Sequence, residues 1–283
     1  MSKQDRKDRY FGDGARLDGT RGGTCPDGRL LPDGIERLTE EALCAERLMP
    51  EGGARLGDAS SGKVKVAAFD FDGTCLNGSS PKKLVTTLSR KKLLSPYNVF
   101  RAGLWGLAYK LNLPKDPEGV RQRVFSAFEG CAASNVNDFL GRFYHERIAQ
   151  LYRPDADASM VAHLEAGHAV VLISASFEPI IASAMVAHPI PIAISTRMSI
   201  DGEGRYTGKI EGLPTEGPEK IVVLRKFLDE YYGAGKWELG WAYGDHYSDL
   251  DLLSAAEHPC AVTPDAKLRR HADACGWDVL EWN

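Results

Sequence analysis

The stretch Val64 to Asn77, VKVAAFDFDGTCLN, constrains this chain more than any other. Val64, Val66, Ala67, Ala68 and Phe69 form an apolar run of strand length that stops at Asp70-Phe71-Asp72-Gly73-Thr74. Two carboxylates therefore stand where a buried strand ends and a loop begins. Residues two apart on a strand share a face, so Asp70 and Asp72 project together if the extended geometry holds that far. Loops at the carboxyl ends of parallel strands are where open α/β sheets build their sites. Taken alone, D-x-D-G is also ordinary turn chemistry, with Asp and Gly supplying a surface bend.

From Lys63 onward strands and helices alternate around one long helical interruption. Between about Gly78 and Tyr152, Leu84, Val85 and Leu88, then Phe100, Leu104, Leu107 and Leu111, then Val120, Val124 and Phe128, then Phe139, Phe143 and Ile148 recur at helical spacing. Ser95-Pro96 reads as an N-cap followed by proline at the first helical position. An insert of about four helices thus follows the first strand directly, which places it over that strand's carboxyl end. A helix from about Asp155 to Glu165, closed by Gly167, leads into the apolar strand Ala169 to Ile173, which ends at Ser174-Ala175-Ser176. Met198-Ser199-Ile200 and Arg205 to Gly208 flank Asp201-Gly202-Glu203-Gly204 as a β-hairpin. Lys220 opens a further helix, Leu239 to Tyr243 reaches Gly244-Asp245, and short strands at Cys260 to Val262 and Asp278 to Leu280 finish the sheet. Three strands end in polar residues on one expected edge: Asp70 and Asp72, Ser174, and Asp245. One polar strand end is a turn; three together make a site.

With these residues in this order, the chain resembles the haloacid dehalogenase-like hydrolase superfamily. Within it, the resemblance is to the subfamily whose all-helical cap is inserted after the first motif, a group that includes phosphoserine phosphatase. It runs from about Lys63 to the C-terminus. It rests on DFDGT at Asp70 to Thr74, the strand ending in Ser174, the isolated Lys220, and GDHYSD at Gly244 to Asp249. His246 departs from the pattern, standing where a smaller residue is usual. The fold expected is a Rossmann-like doubly wound parallel α/β sheet. Residues 63–77 and 153–283 form its core, residues 78–152 the helical cap, and residues 1–62 a leader.

The residue types support a definite chemistry. A carboxylate that attacks phosphorus splits a hard hydrolysis into two displacements through an aspartyl-phosphate, and Asp70 is the nucleophile. The leaving alkoxide needs a proton and the second-step water must lose one; Asp72, two residues on, does both, as the resemblance also implies. Phosphoryl transfer is mostly positioning and charge neutralisation, so Mg2+ is expected on Asp70, the Asp72 carbonyl and Asp245. Ser174, Thr74 and Lys220 bind the phosphate, with Lys220 neutralising the transferring group, and Asp249 holds Lys220 or a water of the metal. Alternatives stay open for single residues. Ser174 and Ser176 are also placed to cap the helix starting near Pro179, and Asp249 to charge the first turn of its own helix. Lys220 stands at a helix start, an unfavourable place for a cation, which argues against a merely solvated lysine. The seven histidines lack metal-ligand spacing, and Cys75 reads as packing.

Composition limits the rest. The chain has 283 residues, 43% hydrophobic and 26% charged, enough for one sizeable core and an insert. Net charge −4 with pI near 6.0 gives no reason to expect a nucleic-acid partner. The six cysteines form no C-x-x-C pair, and MSKQDRKDRY lacks an apolar signal core, which points to reduced thiols in the cytoplasm. Residues 1 to about 62 hold eleven of the 29 glycines and few β-branched or aromatic residues, a composition expected to be largely disordered. A short helix between Asp33 and Pro50 is the exception, and a start codon downstream, for instance at Met49, is the alternative.

The expectation is a magnesium-dependent phosphomonoester hydrolase acting on a phosphorylated small molecule. A dinucleotide oxidoreductase needs glycines where this chain puts acids. A phospho-acceptor signalling module leaves Asp72 and the insert without a purpose, and a phosphotransferase or mutase on the same scaffold remains a rival. In phosphoserine phosphatases an acid shortly after the first motif binds the substrate amine, but Leu76 to Pro81 contains none. Arg121 and Arg123 are candidates for an anionic substrate group. The apolar stretch Leu93 to Leu111, ringed by Lys82, Lys83, Arg90, Lys91, Lys92, Arg101 and Lys110, has two readings. Either it packs the insert's own core, or it rests on anionic lipid and brings the site to a lipid phosphate.

Overall fold

Parallel strands buried on both faces must be apolar on both, which is why VKVAAF and AVVLI read as runs rather than alternations. In the computed structural model, which describes residues 3–11, 62–95, 97, 124–212 and 215–283, these runs are β1 (Val64–Phe69) and the first part of β2 (Ala169–Phe177). The remaining strands are β3 (Ile192–Ile200), β4 (Tyr206–Glu211), β5 (Trp237–Gly244), β6 (His258–Val262) and β7 (Asp278–Leu280). The seven-stranded sheet has the order β4-β3-β2-β1-β5-β6-β7. Pairing is parallel from β3 through to β7. The chain builds outward from β1 on one side and then returns to build on the other, so the order reverses between β1 and β5. This is the Rossmann-like doubly wound fold expected.

The described residues fall into two compact units. One holds residues 62–81, 144–197, 211–212 and 215–283. Its sheet faces follow the period of two: Val64, Val66 and Ala68 join Val171, Ile173, Leu224, Leu228, Leu252, Leu253 and Leu268 in one core. Phe69 points the other way and stacks on Tyr243, with ring centroids 4.2 Å apart. Leu224 and Leu228 come from the helix Glu219–Tyr232, Leu252 and Leu253 from Leu250–Ser254, and Leu268 from Ala266–Cys275. The last helix has a full set of end signals: Asp265 accepts from the N–H groups of Lys267 and Leu268, and Gly276 adopts φ +70° just past its end. On the opposite face, Pro154–Glu165 begins with proline at N1 and is followed by Gly167 at φ +78°. The helix Glu178–Ala187 buries Ile180, Ile181 and Ala184.

The other unit holds the described residues 3–11, 82–95, 97, 124–143 and 198–210. It is narrower at both ends than an insert of residues 78–152, and it takes in the β3–β4 hairpin from later in the chain. That hairpin is closed as the turn chemistry foretold, with Asp201 N–H donating to the Arg205 carbonyl (2.9 Å). Buried inside the unit, the Tyr206 hydroxyl donates to Asn137 Oδ1 at 2.6 Å. Leu84 and Leu88 are fully buried, and Leu93 and Leu94 are buried as well, so these last two serve a protein core. Residues 98–111, Pro96, Arg121 and Arg123 lie outside the described residues, and so do the helix expected between Asp33 and Pro50 and Met49.

One expectation needs correction. Residues 3–11, assigned by composition to a disordered leader, form a helix (Lys3–Phe11). Phe11 packs edge-on against Phe128 (5.7 Å) and Phe139 (5.3 Å), Asn135 donates to its carbonyl at 3.0 Å, and Lys7 donates to the Glu129 carbonyl. Two adjacent aromatics suffice to anchor a short amphipathic helix; averaging over sixty-odd glycine-rich residues hides them. Among the described residues, no helix is long and apolar enough to cross a membrane.

Candidate active site

The site is built at the carboxyl ends of β1, β2 and β5, where the sheet order reverses. Asp70 is the first residue after β1, and its N–H still pairs with the Tyr243 carbonyl at 2.9 Å. Beyond it the backbone turns, so the extended geometry needed to keep Asp70 and Asp72 side by side does not hold. Gly73 makes the turn at φ +96°, a conformation that L side chains avoid. It also has no room for one: a Cβ there would lie 2.1 Å from Asp245 Oδ2. Gly244 is similarly confined, since its Cβ would meet that of Asp249 at 2.9 Å.

Lys220, 4% exposed, bonds to Asp70 Oδ1 and to Asp249 Oδ1, the latter at 2.7 Å. Carboxylate oxygens of Asp70, Asp245 and Asp249 lie within 4.8 Å of one another. The Thr74 hydroxyl donates to the acids, lying 3.2 Å from Asp70 Oδ2 and 3.4 Å from Asp245 Oδ1. Burial pushes Asp70 up to about 7 against the pull of Lys220. Asp245 is driven well above the usual carboxylate range by burial and by Asp70 and Asp249. Burial works to lower Lys220, but Asp249 and Asp70 hold it well above its ordinary value. Two buried carboxylates, Asp70 and Asp249, and the partly buried Asp245 thus face one ammonium, an excess of acidic groups that calls for a further cation. All-oxygen donors at this spacing fit a hard divalent ion such as Mg2+.

Asp72 is held elsewhere. Its Oδ1 accepts from the Ser80 N–H at 2.5 Å, and its Oδ2 from the hydroxyls of Ser176 (2.5 Å) and Ser80 (3.1 Å). Burial raises its carboxyl, while the Ser176 and Ser80 hydrogen bonds pull it down. Ser174 is wholly buried; its hydroxyl accepts from the Ser176 N–H at 3.0 Å, and its carbonyl accepts from Thr215. Neither serine caps the helix at Pro179, whose N-cap is Phe177 without a side-chain bond.

The structure therefore brings together Asp70, Thr74, Lys220, Asp245 and Asp249, holds the Asp72 carboxyl on two serines, and places Ser174 within the last part of β2, the strand beside β1. Sequence reasoning missed Ser80 and Thr215 and treated Ser176 only as a cap. A serine at alternate positions of a strand end, S-x-S, was the available signal. It also left His246 without a job. His246 Nδ1 accepts from the Ser248 N–H at 3.1 Å, and its Nε2 lies 3.2 Å from Asp265 Oδ2. The Asp265 N–H in turn donates to the Asp245 carbonyl at 2.8 Å. The larger side chain thus ties the Asp245 loop to the start of the last helix.

Comparison with known proteins gives a consistent answer. A family model described as haloacid dehalogenase-like hydrolase matches residues 67–254. The histidinol-phosphatase of Neisseria meningitidis serogroup C (strain 8013) is 31% identical over 77% of this chain and 98% of its own length. Among solved structures, a protein of unknown function from Bordetella pertussis Tohama I superposes with TM-score 0.69 at 25% identity, covering 77% of this chain and 99% of that one. A phosphoserine phosphatase solved as a phospho-aspartyl intermediate analogue gives TM-score 0.54 at 17% identity over 78% of this chain and 94% of its own, a likeness of fold.

Proposed function

Because the chain belongs to the haloacid dehalogenase-like hydrolase family, we propose that it is a magnesium-dependent phosphomonoester phosphatase working through an aspartyl-phosphate on Asp70. The observation that carries this reading is the partition of the acids. Asp70 shares Lys220 with Asp249 beside Asp245, whereas Asp72 stands apart on hydroxyl and amide donors. A nucleophile and an acid/base must differ in this way, because one has to stay ionised and neutralised while the other exchanges a proton.

In the first displacement an Asp70 oxygen attacks phosphorus, the bond from phosphorus to the ester oxygen breaks, and Asp72 gives its proton to the departing alkoxide. In the second, Asp72 takes a proton from water, the water oxygen attacks phosphorus, and the bond to Asp70 breaks, releasing inorganic phosphate and restoring both carboxylates to their starting states. Lys220 steadies the charge on Asp70 and on the transferring group, and Ser174 stands by to donate to a phosphoryl oxygen. Asp70 and Asp245, with the Asp72 carbonyl, would hold Mg2+, which supplies further neutralisation of the phosphoryl oxygens when bound. Asp249 fixes Lys220. The substrate is a phosphorylated small molecule, and the phosphatase name of the Neisseria relative supports that class. Cys75, Cys131, Cys260 and Cys275 form no disulfide, which suits a reducing, cytoplasmic setting.

The test is phosphate release, with Mg2+, from a panel including histidinol phosphate, phosphoserine, sugar phosphates and a lipid phosphate in vesicles. Asp70→Asn is isosteric and unable to attack, and it is expected to release none. A variant with near-wild-type turnover would remove Asp70 as nucleophile. Phosphate passed to an added alcohol rather than to water would instead favour a phosphotransferase.

A further inference from the structure

A carboxylate beside Asp70, Asp245 and Asp249 faces two hazards. It can join their cluster as another anionic ligand, or it can be repelled from the reacting centre. Asp72, two residues from Asp70, stays outside the close group of Asp70, Asp245 and Asp249 although its charge still bears on Asp70 and Asp245, and what holds it lies in residues outside the recognised motifs. Ser80 is the first residue of the helix Ser80–Arg90, and Ser176 stands at the end of β2. Their hydroxyls lie 2.5 Å apart, and together with the Ser80 N–H they engage both oxygens of Asp72. Ser80 is 1% exposed and Ser176 3%, so both donors are shielded from water, while the Asp72 carboxyl they hold stays partly exposed. Each hydroxyl has a single hydrogen to give. When Ser176 donates to Asp72, Ser80 donates either to Ser176 or to Asp72, and the backbone N–H fixes the other oxygen.

We propose that Ser176 and Ser80 are positioning residues that hold the Asp72 carboxyl apart from the acidic cluster and aimed for proton transfer to the leaving oxygen. This rests on the phosphatase reading above. A purely structural role is the natural rival, because Asp72 also satisfies a free N–H at the start of the helix Ser80–Arg90. The two roles differ in what they move. A cap governs stability, whereas a positioner of the acid governs how turnover depends on the basicity of the leaving group.

The experiment is a series of substituted phenyl phosphates, from p-nitrophenyl to p-methoxyphenyl, hydrolysed with Mg2+ by the wild-type protein and by Ser176→Ala, Ser80→Ala, Ser176→Thr and Asp70→Asn. For Ser176→Ala, the loss in kcat is expected to grow along the series and to be about tenfold larger for the most basic leaving group than for p-nitrophenyl, within the ~100-fold or more that general acid catalysis supplies. KM should hold steady, and Ser176→Thr should recover the wild-type slope. Ser80→Ala keeps the backbone N–H contact and should show the same trend more weakly, providing the answer if Ser176→Ala does not fold. An equal loss across the series, or a lowered melting temperature with an unchanged slope, would overturn the positioning role. If Asp70→Asn is inactive while both serine variants keep the wild-type slope, only this inference falls. If Asp70→Asn is as active as wild type, or the wild type releases no phosphate, the phosphatase reading falls and takes the positioning role with it.

Discussion

Gly73→Ala is a one-carbon perturbation whose cost the structure specifies. The backbone at Gly73 has φ +96°, and an added Cβ would stand 2.1 Å from Asp245 Oδ2, 2.4 Å from its Cγ and 2.7 Å from Oδ1. The first cost is conformational: holding a non-glycine residue there takes about 1–3 kcal/mol, which for a protein of this size lowers the melting temperature by about 3–9 °C. The second is steric and falls on function. The Asp245 carboxylate has to withdraw by about 1 Å to clear the methyl group, and displacements of that size cost about 100-fold in rate. Gly167→Ala separates the two costs, because Gly167 also has positive φ (+78°) but nothing lies within 4 Å of its Cβ position. The expected outcome is that both variants lose stability, while only Gly73→Ala loses kcat and needs more Mg2+ to reach half-maximal activity. Melting curves with and without Mg2+, together with steady-state kinetics at several Mg2+ concentrations, decide the matter. A Gly73→Ala protein with kcat and Mg2+ requirement within twofold of wild type would refute the placement of Asp245 against this turn.

Other expectations follow from charge and packing. Asp70, pushed up to about 7 by burial, binds a proton more readily folded than unfolded. Without metal, its contribution to stability is therefore full at acid pH and lost as pH rises through about 7; because protons and Mg2+ compete, the stabilisation by Mg2+ grows over the same window. Melting temperatures with and without Mg2+ between about pH 5.5 and 8.5 test this, and a pH-independent Mg2+ effect counts against it. Lys220→Met leaves buried acids unpaired and should cost about 3–5 kcal/mol; the penalty is greatest above about pH 7 and eases in acid as Asp70 takes up its proton, as urea unfolding at two pH values will show. Phe11→Ala removes an aromatic buried against Phe128 and Phe139 and should cost about 3 kcal/mol, read as faster hydrogen exchange in residues 124–143. Unchanged exchange would mean that the helix Lys3–Phe11 does not pack there.

Sequence pattern revealed most where one residue type does one job. Asp70 and Asp245 were legible because each ends an apolar strand at which a charge has no local reason to stand; Lys220 and Asp249 were legible only together with DFDGT and GDHYSD, in that order along the chain. The hairpin was legible from its turn residues, and β7 appears over the residues expected. The first half of β3 was not, because Pro189 and Pro191 punctuate the approach to Ile192 and interrupt any alternation. Ser176 was read as a cap because a serine before Glu-Pro fits that role locally. Its bond to Asp72 spans 104 residues, and no local pattern encodes such a partner. The helix Lys3–Phe11 was hidden for a different reason: its anchor residues, Phe128 and Phe139, belong to the same unit but lie far along the chain, and composition reports averages rather than pairs.

The sequence distances inside the site have a bearing on when the protein can work. Asp70 is joined to Lys220 across 150 residues and Thr74 to Asp245 across 171. A ribosome adding about 5–20 residues per second makes Asp70 roughly 8–30 s before Lys220, and longer before the last acid follows. β2 (Ala169–Phe177) is made within that interval but β5 (Trp237–Gly244) only after it, so β1 lacks at least one of its two neighbours throughout. On the phosphatase reading proposed above, competence is reached only late in synthesis, and truncated chains ending before Lys220 are expected to be inert rather than weakly active.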